Sequence, residues 1–205
     1  LGDEFPGVVT CDRARMYLAL PRLQWCWAHL KREFIAWSER VGETARLGLA
    51  FLAGEKDLFA LWYRVRDGTL AWADFQVAMQ PLMARVKTLL QEGGAGADAK
   101  VQGTCRNLLK REAALWTFVW ETGVEPTNNC AERPLRRAVL WRRRSFGTQS
   151  EAGSQFVERI LTAVTTLRQQ RRDVLDNLTA ACLAAISNTP APSLLPLTPP
   201  PLLAR

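Results

Sequence analysis

From about Thr44 to Thr122 the apolar residues keep a helical period almost without a break. Phe51, Leu52, Phe59, Leu61, Trp62 and Val65 are followed by Leu70, Trp72, Phe75, Met79, Leu82, Met83, Val86 and Leu89. A strand would need period two, so this region reads as helices that bury one face against each other. Gly93-Gly94-Ala95-Gly96 is expected to break the run, and a further helix carries Leu108, Leu109, Leu115, Phe118 and Val119. The chain has eight tryptophans. Trp62, Trp72, Trp116 and Trp120 fall among these apolar positions and read as core rather than as stacking surfaces.

The segment before this region has a different pattern. Gly7-Val8-Val9-Thr10-Cys11 follows Pro6, is short and partly β-branched, and reads as a buried strand. Asp12 then has two readings. It could project from the carboxyl edge of a sheet, where α/β folds place ligands, or cap a short helix from Arg13 to Leu20. After Pro21, Leu23 to Trp27 reads as a second strand, and Ala28 to Phe34 opens a helix containing His29, the chain's one histidine. A lone histidine is more often a structural group than a ligand. A zinc site with Cys26 would need two further ligands, and no suitably spaced pair is present. Cys11, Cys26, Cys105, Cys130 and Cys182 are odd in number and scattered, which indicates free thiols rather than a disulfide framework.

Beyond the helical region lies a basic stretch. Between Pro126 and Ser150 there are six arginines, Arg133, Arg136, Arg137, Arg142, Arg143 and Arg144, and one carboxylate, Glu132. A solvated helical face normally mixes signs, so this concentration suits a polyanion. The guanidinium fork fits phosphate but carries little sequence choice. The competing reading is pairing within the protein, with Glu132 and Arg136 at i,i+4 the obvious case. Proline is best tolerated in a helix's first turn, so Pro134 places Glu132 at or just before a helix start, with Asn128 or Asn129 as cap. Net charge is +7, which favours an anionic partner only mildly.

Ser150 is a plausible N-cap for a helix through Gln170, whose Phe156, Ile160, Leu161, Val164 and Leu167 form an amphipathic core stripe. A last helix spans about Asp173 to Ser187, and residues 188–205 form a proline-rich tail expected to be disordered. No apolar run reaches the roughly 20 residues that span a membrane. The opening Leu1-Gly2-Asp3-Glu4-Phe5 reads as a sequence entered midway, which suggests a fragment. Gly93-Gly94-Ala95-Gly96 lacks both the spacing and the lysine of a phosphate-cradling loop. What remains is a pair of acids, Asp12 and Glu132, embedded in basic sequence. Two carboxylates brought together can hold divalent cations that serve phosphoryl transfer.

Five blocks, taken in order, resemble the insertion-sequence 66 family of DDE transposases. They are Gly7 to Asp12, Cys26 to Arg32, Thr127 to Arg133, Val139 to Arg142, and Ser145 to Gly153. The resemblance covers roughly residues 1 to 187. It implies a predominantly helical α/β fold: an incomplete ribonuclease-H-like core of about two strands, a helical insertion at about 44–122, and C-terminal helices. It also implies metal-dependent strand cleavage and strand transfer at transposon ends.

Asp12 falls where the family places its second catalytic aspartate and Glu132 where it places its glutamate, both as ligands of Mg²⁺ or Mn²⁺. His29 and Cys26, with Asn128 and Asn129, would support the site. DNA is the implied partner, as transposon end and target. Homo-oligomerisation on DNA and accessory proteins are left open, and the setting is the bacterial cytoplasm. The family's first aspartate has no counterpart in these residues, so the chain alone is expected to be inactive. A non-catalytic basic DNA-binding or regulatory remnant of a transposase is the rival reading. Pro134 departs from the family pattern, where a freer helix former is expected.

Overall fold

The computed structural model describes residues 5–196. Contacts between backbone segments divide the chain into two units, Leu1–Asn129 and Cys130–Arg205.

The first unit holds a two-stranded parallel sheet, β1 (Val9–Cys11) and β2 (Leu23–Trp25), with Val9 opposite Leu23 and Cys11 opposite Trp25. Between them, the helix expected over Arg13 to Leu20 is only a single 3₁₀ turn, Arg15–Tyr17. The physical reason lies at its start: Arg13 has φ 71°, a left-handed conformation that an α-helix cannot contain. The second strand is also shorter than expected. Trp27 is already the first residue of α1 (Trp27–Ser38), and Cys26 occupies the cap position.

Four helices follow: α2 (Gly42–Arg66), α3 (Trp72–Ala95), α4 (Ala99–Lys110) and α5 (Ala113–Trp120). Helices α1 to α4 pack each on the next, and α5 returns to lie on β2. Phe51, Phe75, Met79, Leu108 and Phe118, at positions that the helical period gave, are fully buried between them, together with Phe34, Leu58 and Leu90. Phe34 stacks on Phe51 at 4.6 Å between ring centroids, and Trp62 meets Phe118 edge-on at 5.4 Å. Trp62 and Trp116 are core. Trp120 is not: it ends α5 and is 51% exposed.

The glycines at 93 and 94 do not interrupt α3, which runs through them to Ala95. They let α4 approach. A Cβ on Gly93 would stand 2.6 Å from the Cys105 sulfur, so only a residue without a side chain fits. Asp98 caps α4 by accepting the backbone N–H groups of Lys100 and Val101.

The second unit contains α6 (Asn129–Ser145, its first residue on the boundary), α7 (Glu151–Gln169) and α8 (Val174–Ile186). Ser150 caps α7, accepting from the Gly153 N–H, and Asp173 caps α8. Pro134 sits inside α6, two residues beyond its opening turn, so the helix begins earlier than the proline rule placed it. The α7 stripe is thinner than expected: Leu167 is buried, whereas Phe156 is 61% exposed. Residues 188–196 form no helix or strand, and the rest of the proline-rich tail lies outside the described residues.

Candidate active site and nucleic-acid interface

The parallel register sets the geometry of the first unit's candidate site. Cys11 pairs with Trp25, so both strands end at the same edge, and the Cys26 N–H donates to the Cys11 carbonyl at 2.8 Å. Asp12 therefore leaves the sheet at its carboxyl edge, and α1, with His29 in its opening turn, starts there too. Asp12 is exposed, and its Oδ1 accepts the Ala14 N–H at 3.1 Å. Asp12 caps no helix, since the 3₁₀ turn begins at Arg15 with Ala14 as its cap residue. It is an edge carboxylate whose contact with Ala14 closes a short side-chain-to-backbone turn ahead of the 3₁₀ turn.

Arg13, which the sequence reading passed over, is held in its left-handed conformation while its guanidinium pairs with Glu33 of α1. Such backbone costs about 1–3 kcal/mol and persists only where the surroundings over-determine it. The Arg13–Glu33 pair ties the residue after Asp12 to α1. No periodicity or motif marks either residue.

Helices α2 to α5 return the chain to the same edge through polar contacts on β2. Gln24, fully buried, donates to the Leu115 carbonyl at 3.2 Å and accepts the Phe118 N–H at 2.9 Å. Trp27 Nε1 donates to the same Leu115 carbonyl, and the Thr117 hydroxyl donates to the Leu23 carbonyl. A buried polar group with all its bonds made fixes a unique arrangement, because any other would strand it. With α5 so anchored, the segment after it runs past the start of α1. The Trp27 N–H donates to the Pro126 carbonyl at 2.9 Å, and the Asn128 N–H reaches the Cys26 sulfur at 3.5 Å. Cys26 and Asn128, about a hundred residues apart in the chain, are thus in contact at the sheet edge that carries Asp12.

Burial pushes the Cys11 thiol up, although the Arg13 N–H bonded to it works in the other direction. Cys11 and Cys26 are buried and unreactive in character. No group of three or more His, Cys, Asp or Glu residues able to hold a metal occurs among the described residues.

In the second unit, Glu132 lies in the opening turn of α6 and the six arginines follow it, all exposed. At 3.6 residues per turn, Arg133, Arg136, Arg137, Arg143 and Arg144 share an arc of about 120°. Arg142 faces the other way, among Leu135, Ala138 and Val139. The ion pairs found among the described residues include none of the six. The basic stretch is one presented face plus one arginine apart from it. No helix among the described residues is long and apolar enough to cross a membrane.

Three comparisons bear on identity. A protein of Sinorhizobium fredii described as uncharacterized protein y4qI is 25% identical over 212 residues, spanning 95% of this chain. The chain covers 39% of that relative's length. No solved structure matches. The model of the family described as Transposase IS66 family matches residues 1–156, a span that includes Asp12, helices α1 to α5, Glu132 and the basic face of α6. The chain belongs to the IS66 family of transposases.

Proposed function

We propose that residues 1–187 form the part of a DNA transposase's catalytic core that carries its second aspartate, Asp12, and its glutamate, Glu132, with 188–205 as a tail. The observation that carries this reading is the family match, which runs through both acid-bearing segments. In this reading the two-stranded sheet belongs to a ribonuclease-H-like core completed by strands outside these residues. A two-stranded sheet is marginal alone, and adding parallel strands to it is the ordinary remedy. The insertion is scaffold. Its work is to bring Pro126–Asn128 back to the edge where Asp12 stands.

The reaction proposed is cleavage and transfer of DNA strands at transposon ends. Mg²⁺ or Mn²⁺ is the cofactor such a reaction uses, and carboxylate oxygens are suitable donors. Two carboxylates do not make up a two-metal centre, and no fuller donor group occurs among the described residues. The 205 residues supply two of the three acids, and strand transfer by this chain alone is expected at background. Clear turnover by the purified chain would overturn that.

The arginine face of α6 supplies the phosphate contacts. Each phosphate neutralised adds about 0.9 to the slope of log affinity against log salt. Replacing Arg133, Arg136, Arg137, Arg143 and Arg144 together with alanine is expected to flatten that slope by several units. Arg142→Ala should change it by about one unit or less. Titration of labelled duplex DNA across a salt series reads both, and equal slopes for the wild-type and five-alanine chains would sink the assignment. In the complete transposase, Asp12→Asn and Glu132→Gln are each expected to abolish strand transfer while leaving DNA affinity intact. A non-catalytic DNA-binding remnant would show neither loss.

A further inference from the structure

The loop between α6 and α7 carries the most exposed large apolar side chain among the described residues. Phe146 is 97% exposed, at φ 59°, and Gly147 follows at φ 88°. The left-handed conformation is costly for Phe146, whereas Gly147 adopts it freely. The loop's far end is tied to the start of α7: the Ser150 hydroxyl accepts the Gly153 N–H, and the hydroxyls of Thr148 and Ser154 lie 2.7 Å apart. Strain is therefore sustained to hold a phenyl ring in water, against the hydrophobic effect. The ring stands at the lip of a groove of about 680 Å³ between α6 and α7. Val139, Val157 and Leu161 give the groove apolar walls, and Arg142, Thr148 and Glu158 give it hydrogen-bonding groups. Arg142 is the arginine turned away from the basic face.

We propose that this groove receives a nucleobase unstacked from bound DNA, with Phe146 stacking on the base and Arg142 beside its phosphate. An aromatic ring on a rigid loop, apolar walls and a few polar groups for a base edge are the ingredients of single-strand and flipped-base recognition. The exposed arginines on the same helix supply the charge that brings a polyanion to the groove. The inference rests on the reading of α6 as a DNA-binding helix.

The test uses the 205-residue chain, a single-stranded oligonucleotide containing 2-aminopurine, and a blunt duplex of the same sequence. Wild-type chain is expected to quench the 2-aminopurine fluorescence of the single strand. Phe146→Ala should weaken single-strand binding by about tenfold, leave duplex binding within about twofold, and lose the quench. Phe146→Trp should restore both affinity and quench, which shows that a flat ring at this position is what matters. Equal loss on single strand and duplex, or no loss on either, overturns the proposal while leaving the basic face intact. Failure of the wild-type chain to bind either DNA removes the reading of α6 as well. A dimer that Phe146→Ala converts to monomer in sedimentation without DNA would show the ring to be a protein contact and overturn the proposal.

Discussion

The two units use the same residue types to opposite ends. In the first, Arg13, Arg22, Arg40, Arg46 and Arg85 are each paired with a carboxylate, and aromatic and aliphatic side chains fill a continuous core. In the second, the ion pairs found among the described residues include none of the six arginines of α6. Among its described apolar side chains only Leu167 and Ala184 are buried, while Leu135, Phe146, Phe156 and Ile186 are exposed. Amphipathic helices that leave their faces open are not minimised as isolated objects; their stability comes from what they pack against. The difference teaches that the first unit is built to hold a shape and the second to present a surface.

The strongest way to break that comparison is to truncate one aromatic side chain in each unit. Phe118 is wholly buried, in contact with Trp62 and Phe75. Phe118→Ala is expected to cost about 3–5 kcal/mol in urea unfolding. Phe156→Ala, on the exposed face of α7, should cost within about 0.5 kcal/mol, as surface changes do. Equal losses would mean that the second unit has a core of its own.

Gly93 sharpens the account of the first unit. Gly93→Ala places a methyl group where the Cys105 sulfur stands and should cost about 1–3 kcal/mol by overpacking, despite alanine's better helix propensity. Combining it with Cys105→Ala should recover part of the loss, because the two changes share one contact. Strict additivity would show that the close approach of α3 and α4 is not what constrains residue 93.

How much of this was legible in the sequence follows the kind of signal. The helices α2 to α5 were readable because burial repeats every 3.6 residues over many turns, and Ser150 because capping is chemistry local to four residues. The shared edge of Asp12, Cys26 and Asn128 was not readable from spacing. It depends on Gln24 and Trp27 meeting Leu115, and a hydrogen bond between distant positions leaves no period. The overlong helix after Asp12 failed for a local reason, the left-handed Arg13, which no residue-type preference announces. Gly93 and Gly94 misled in the other direction: a glycine pair that looked like a break is a contact surface, and only the neighbouring helix reveals which. The six arginines were visible as a run, but the single face shared by five of them depended on the helix being continuous through Pro134.

Cysteine reactivity compares the units without altering them. Cys11, Cys26 and Cys105 are buried, and Cys130 and Cys182 are exposed. A thiol reagent at neutral pH should modify the exposed pair rapidly and the buried three only on unfolding, which mass spectrometry of timed samples would resolve. Burial pushes the Cys105 thiol up to about 12, from 9.0 in a free chain. The sign follows: between about pH 9 and pH 12 the unfolded thiol has lost its proton while the folded one keeps it. Stability from this group is therefore whole below pH 9 and declines across that window. Cys105→Ala should remove this alkaline decline, and a decline unchanged in the variant would assign it elsewhere.

The smallest expected effect is a gain. Gly103 lies in the interior of α4, exposed, and a Cβ there would meet nothing within 4 Å. Unlike Gly93, it does no packing work, and glycine in a helix interior costs about 0.8–1.0 kcal/mol relative to alanine. Gly103→Ala should therefore raise the urea midpoint by an amount equivalent to about 0.5–1 kcal/mol with an unchanged denaturant slope. The pair isolates one variable, since both residues lie in helices of the same unit and differ in whether a neighbour occupies the space of a side chain. If both substitutions stabilised, the Cys105 contact would be too soft to constrain α3. If both destabilised, the exposed face of α4 would have a partner of its own, and the first unit would then present a surface as the second does.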